Sequence, residues 1–236
     1  GKFRAKRAFV AGHRENFLSL LDNEFCTAFC AFGRDFMGFR GLIVEEQIFN
    51  LPFIKKAVFM EQIHSNLVEF YEPKREKYEC DGLMSDKVGV GLCVLSADCL
   101  PLLLWHKKGF VAALHSGRKG CFENILEKAV LAMKEREKSL KSEDFTRIIA
   151  PSICGANYEL GGEILAYAKA NFSEFVSDNR LDLKALVKNQ ALKLGISDIK
   201  DCGICSFDDE RFFSYRKNAT AQRFASVIVL KDKAKA

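Results

Sequence analysis

Three apolar runs of strand length stand close together in the middle of the chain: Val90 to Ala97, Leu100 to Trp105 and Phe110 to His115. Near-continuous apolar strands are covered on both faces, so these runs predict a sheet that lies inside the molecule. Asp98-Cys99 breaks the first run from the second, and the turn His106-Lys107-Lys108-Gly109 leads into the third. An interior sheet needs layers outside it, and the rest of the chain supplies them. After Gly120, the residues Phe122, Ile125, Leu126, Ala129, Val130 and Met133 keep the spacing of one helix face. Leu183, Leu186, Val187, Ala191 and Leu194 make a second helix, closed by Gly195, and Glu163 to Phe172 a shorter third. Further strands are expected at Arg147–Ala150, Ile199–Cys205 and Phe224–Leu230. Strands and helices alternate too irregularly for a doubly wound nucleotide fold. The expected class is α+β, a layered sandwich of mixed sheets with helices packed outside.

With 236 residues and 48% hydrophobic content, the chain can bury a full core, and no linker-like stretch divides it. A single domain over 1–236 is expected, with Lys231 to Ala236 as a frayed tail. The 36 Lys and Arg against 31 Asp and Glu give a net charge of +5 without a basic, aromatic-studded stripe, so nucleic acid is not an expected partner. No apolar run approaches the ~20 residues of a membrane span. Gly1 to Arg14 lacks the apolar stretch of a secretory signal. Nine cysteines in a core-rich chain read as buried free thiols of a reducing cytoplasm rather than a disulfide framework. A cytoplasmic monomer or weak homo-oligomer is the expectation.

Chemistry is expected where strands hand side chains to loops. His64 follows Glu61-Gln62-Ile63, Cys99 sits between two strands, and His115 ends the third apolar run. Two imidazoles and a thiolate suit zinc and leave a fourth position open. Asp98, beside Cys99, can move a proton or orient an imidazole. The spacing matches no short ligand motif, and other readings stay open. With Met84, the same set is a blue-copper ligand list. Without metal, Cys99 and His115 form an activated thiol. Arg118 and Lys119, at the turn Ser116-Gly117 into the long helix, are candidate anion contacts, with Arg216 as another in Phe212-Phe213-Ser214-Tyr215-Arg216. Cys202-Gly-Ile-Cys205 is half a zinc site at most, and a structural role is expected of it.

Several segments together resemble one family. Gln62-Ile63-His64, Asp81-Gly82-Leu83, Leu95 to Pro101, Ala112 to Gly117, Ile149 to Ile153, Tyr158-Glu159-Leu160, Phe212 to Arg216 and Gln222-Arg223 follow, in order, the signature stretches of the YfiH family, also called the laccase-domain or polyphenol oxidase family. The resemblance implies an α+β domain of mixed sheets and a His–Cys–His zinc site on His64, Cys99 and His115. It implies phosphorolysis of purine nucleosides, including methylthioadenosine, and deamination of adenosine. Purine nucleosides and phosphate are then the partners. Some members are linked to editing peptidoglycan precursors, which implies a metal-dependent amidase as an alternative, and older labels imply a copper-dependent polyphenol oxidase. Three departures stand out: Arg118-Lys119 replaces Trp-Arg, the family's GPCIG turn reads APSICG, and Gly33-Arg34 is at best a remnant of its TRxGGVS segment.

Overall fold

A computed structural model describes residues 17–32, 51 and 53–232. Gly33-Arg34, the Gly1 to Arg14 stretch and the tail beyond residue 232 lie outside them. The described strands form two main sheets and a small ribbon. One sheet has five strands in the order β1 (Phe17–Asp22), β2 (Cys26–Ala31), β13 (Phe224–Leu230), β6 (Val90–Ser96) and β3 (Lys56–Phe59). The other has six, in the order β12 (Asp198–Asp201), β9 (Phe145–Ile149), β7 (Leu100–His106), β8 (Phe110–Ser116), β5 (Gly82–Ser85) and β4 (Val68–Phe70). β10 (Val176–Ser177) and β11 (Arg180–Leu181) make the ribbon. Both sheets are mixed, because β3–β6, β4–β5 and β9–β12 pair in parallel while the other neighbours run antiparallel. This is the α+β layered sandwich expected from the sequence.

The three apolar runs are strands, but they do not share one sheet. β6 belongs to the five-stranded sheet, while β7 and β8 form a hairpin in the other. The break at Asp98-Cys99 is therefore where the chain crosses between layers. Asp98 takes a φ of +101° there, a region few residues with a side chain occupy. The β7–β8 connection ends in Gly109 at φ +85°, where a glycine carries no Cβ penalty.

Side-chain alternation then sorts the core. Leu92, Val94 and Ile228 of one sheet meet Leu83, Leu103, Val111 and Ala113 of the other in the sandwich interior. The opposite face of the six-stranded sheet carries Met84, Leu102, Leu104, Ala112 and Leu114 and is covered by helices. Met84 is spent on this helix-facing core. The helices are α1 (Arg118–Phe122), α2 (Ile125–Arg136), α3 (Gly162–Asn171), α4 (Leu183–Lys193) and the single turn α5 (Tyr215–Asn218). The outer face of the five-stranded sheet packs Phe29, Ala225 and Val227 under Leu51 and Ile54.

The helix expected from Phe122 through Met133 is in fact two. Asn124 interrupts it at φ +53°, and its side-chain oxygen accepts from Glu127 N at 3.1 Å as the cap of α2. Asn tolerates the left-handed region better than most residues and is among the best N-caps, so it serves as both break and start. Phe122 then leaves the stripe to pack on Phe172 and Tyr167. The strand expected at Ile199–Cys205 stops at Asp201. Among the described residues, no helix is long and apolar enough to cross a membrane.

Candidate metal centre

Odd-numbered positions of β7 and β8, such as Leu103 and Ala113, face the other sheet. The same alternation aims His115, near the end of β8, and Cys99, just before β7, toward that side at one end of the sandwich. His64 arrives from elsewhere, on the loop between β3 and β4. The structure brings all three together: their ligand atoms lie within 4.8 Å of one another. The two imidazole rings stand nearly perpendicular, centroids 5.0 Å apart. His115 is buried, Cys99 half-buried and His64 exposed.

One carboxylate organises both histidines. Asp81, fully buried just before β5, accepts from His115 Nδ1 at 2.7 Å, which leaves Nε2 as the ligand atom. The same carboxylate accepts from the backbone N–H groups of Ile63 (3.2 Å), His64 (3.1 Å) and Ser65 (2.8 Å), and from Ser65 Oγ (2.6 Å). These bonds hold His64 at φ +56°, a strained value for a residue with a side chain. Gln62 pins the loop from its other side. Its amide donates to the Leu95 carbonyl and accepts from Leu95 N, at 2.8 and 2.9 Å, so the loop is docked on β6.

Close packing explains the glycine after Ser116. A Cβ on Gly117 would stand 3.3 Å from Cys99 Sγ, 3.5 Å from His64 Cδ2 and 3.7 Å from His115 Cε1. A side chain there would press on Cys99 Sγ and line the space between the three ligands.

Without a metal, the electrostatics favour a Cys99 thiolate beside a protonated His115, and a bound metal would take the place of that proton. Burial alone raises the Cys99 thiol, but hydrogen bonds from His115 and His64 outweigh it and bring the group down to about 6. Burial depresses His115, and hydrogen bonds to Asp81 and Cys99 more than reverse this, lifting it to about 9. Asp81, raised by burial, is drawn down to about 2 by His115 and Ser65. A thiolate, an imidazole held by a carboxylate, and an exposed second imidazole form a donor set that fits a transition metal.

The other expected site residues divide. Asp98 does not orient an imidazole; Asp81 takes that part. The Asp98 carboxylate instead accepts from Ser206 Oγ (2.7 Å), Ser214 Oγ (3.0 Å) and Arg216 N (2.7 Å), fastening the 206–216 loop to the sheet crossing. Arg118 and Arg216 converge electrostatically on Tyr158, whose phenol also feels Cys99. The Arg216 guanidinium lies 4.8 Å from the Tyr158 ring centre and donates to the Glu159 carbonyl. Lys119 leaves this group, being exposed and 4.0 Å from Glu123. The helix that carries it, α1, is only five residues long. The aromatics of 212–215 also part: Phe212 sinks into the sandwich core while Tyr215 is exposed. Asp81 and Tyr158 are the candidate positions that reasoning from residue chemistry passes over. The burial of Asp81 is seen only in the structure.

The chain has relatives among known proteins. Residues 44–231 match a family model described as "Multi-copper polyphenol oxidoreductase laccase". The chain is 55% identical over 222 residues to a purine nucleoside phosphorylase of Campylobacter jejuni, spanning 93% of this chain and 98% of that protein. It is 31% identical over 195 residues to the purine nucleoside phosphorylase YfiH of Shigella flexneri, spanning 77% and 76%. In fold, it superposes on YlmD of Geobacillus stearothermophilus with a TM-score of 0.81 at 22% identity, covering 95% of this chain and 99% of that one. With matches of this length and identity, the chain belongs to the YfiH family of laccase-like proteins.

Proposed function

We propose that the protein is a zinc-dependent purine nucleoside phosphorylase whose ligands are His64, Cys99 and His115, and which also accepts methylthioadenosine and deaminates adenosine. The observation that carries the reading is the meeting of those three ligands beside Arg118, Tyr158 and Arg216. The naming of relatives as purine nucleoside phosphorylases supports the substrate class. Zinc held in such a site supplies Lewis acidity and lowers the pKa of bound water to about 7.

The chain's own groups do the remaining work. In phosphorolysis a phosphate oxygen attacks the anomeric carbon, the glycosidic bond breaks, and the purine leaves with a proton. Arg118 and Arg216 hold the anion, and Arg216 is kept in place by Asp98 and Tyr158. The Tyr158 phenol is pushed up to about 12, by burial first and then by the nearby Cys99, so it stays protonated at neutral pH. It is a hydrogen-bond donor for the substrate rather than a base. Asp98 acts as a positioning residue. In deamination, water replaces the purine amino group and ammonia leaves, using the same pocket.

Incubating the protein with inosine and phosphate tests this, with release of hypoxanthine and ribose 1-phosphate as the expected result. Adenosine is expected to yield ammonia as well. R216A is expected to raise the KM for phosphate about tenfold or more, as the loss of a charge-assisted contact predicts. Hydrolysis of a muropeptide precursor with no action on nucleosides would replace this reading with the amidase, and oxygen uptake with phenols would replace it with the copper oxidase.

A further inference from the structure

The cysteines fall into two groups. Cys26, Cys30, Cys80, Cys93 and Cys121 are buried. Burial pushes Cys80 and Cys121 up to about 12, and Cys26 and Cys30 higher still, which makes them inert. Cys202, in the Cys202-Gly-Ile-Cys205 motif, packs against the sandwich core, and burial lifts it to about 11. It does not pair with Cys205. The partner of Cys205 is Cys154, distant in sequence, and their sulfurs share a hydrogen bond at 2.9 Å.

This pair is held by the fold. Beyond the ends of β9 and β12 the two chains run on side by side through a parallel bridge between Ser152 and Cys205. Ser152 N donates to the Ile204 carbonyl and Ser206 N to the Ser152 carbonyl. Polar groups converge on the sulfurs. Cys154 N donates to Cys205 Sγ at 3.2 Å, and Asn157 Nδ2 reaches Cys154 Sγ at 3.2 Å and Cys205 Sγ at 3.5 Å. Asp208 Oδ2 lies 3.9 Å from Cys154 Sγ. Burial opposes ionisation of Cys205, but hydrogen bonds from Cys154 and Asn157 prevail and lower it. Cys154 is raised by burial and by Cys205. Cys205 Sγ, which takes both the Cys154 amide and Asn157, is the better placed of the two to carry a thiolate. Both are half-exposed, and Cys154 also lines a cavity of about 510 Å³.

We propose that Cys154 and Cys205 form a reactive dithiol that is oxidised reversibly by low-molecular-weight disulfides. The Cys205 thiolate attacks one sulfur of the oxidant, forming a mixed disulfide and releasing one thiol. Cys154 loses its proton to solvent and attacks Cys205 Sγ, expelling the second thiol. Two protein thiols become one disulfide, and the oxidant takes up the two electrons and two protons. Ser206, next to Cys205, holds the Asp98 carboxylate, so the disulfide ties the loop carrying Ser214 and Arg216 to the turn after β9.

The test incubates the metal-loaded protein with oxidised glutathione, blocks remaining thiols by alkylation, and maps the digest by mass spectrometry. The expected product is a Cys154–Cys205 cross-linked peptide, lighter by two hydrogens and removed by dithiothreitol. C154S is expected to trap glutathione on Cys205, while C205S, which lacks the sulfur that takes the Cys154 amide, reacts more slowly at Cys154. Amide exchange over 203–216 is expected to slow in the cross-linked protein. The proposal is overturned if both thiols are recovered alkylated, or if glutathione is found chiefly on Cys99. It is also overturned if C205S loses a bound metal ion while the Cys99 site stays loaded, because the pair would then be a metal site.

Discussion

Asp81 serves both histidines. One of its oxygens fixes the tautomer and tilt of His115, and both take amides from the turn that carries His64. A carboxylate in that position commonly alters metal affinity or activity by about 10–100-fold when lost, and D81N is expected to fall in that range in a metal titration. Its ionisation also carries stability. In the metal-free protein the group lies at about 2 against an ordinary 3.8, so the unfolded chain takes up its proton first as the pH falls. The contribution, about 2 kcal/mol, is complete above about pH 4 and lost as the pH drops through about 2. Metal-free wild type and D81N should therefore differ in urea midpoint at neutral pH and converge in acid. Gly117 makes a second test at this scale. G117A presses a methyl group between Cys99, His64 and His115, and is expected to reduce bound metal while leaving the melting temperature of the metal-free protein nearly unchanged.

The elements show where sequence pattern suffices and where it does not. β6, β7, β8 and β13 are legible as apolar runs because both their faces are covered, and β13 begins and ends at the expected residues. β4 is three half-buried residues and β5 four, too short for alternation to register, yet β5 carries the chain from Asp81 into the sheet. The sheet crossing at Asp98 was visible only as a break. Which layer each strand joins depends on pairings such as Phe224 with Ser96, distant in sequence. The split helix was hidden because the apolar spacing continues across Asn124. Its local chemistry gives a clear stability test. N124G keeps the left-handed break and is expected to lie within a few tenths of a kcal/mol of wild type, whereas N124A loses the cap and is expected to cost about 1–2 kcal/mol in chemical denaturation.

At the scale of the molecule, the candidate site is where the layers are joined. His64 comes from a loop docked on the five-stranded sheet, His115 from the six-stranded sheet, and Cys99 from the crossing between them. The three ligands were legible as residue types at strand ends and through family resemblance, but their convergence follows from the stacking of two sheets, which no spacing encodes. The anion-binding side was legible only in part. Arg216 was placed by an aromatic-rich segment, whereas Tyr158 and the turning away of Lys119 depend on packing. Elemental analysis of protein purified without a metal-affinity tag tests the account at its centre. The expected result is close to one zinc per chain in the wild type and none in C99S, which should also lose nucleoside phosphorolysis. A wild-type chain that cleaves inosine without bound metal, or a C99S chain that keeps its full complement, would contradict it.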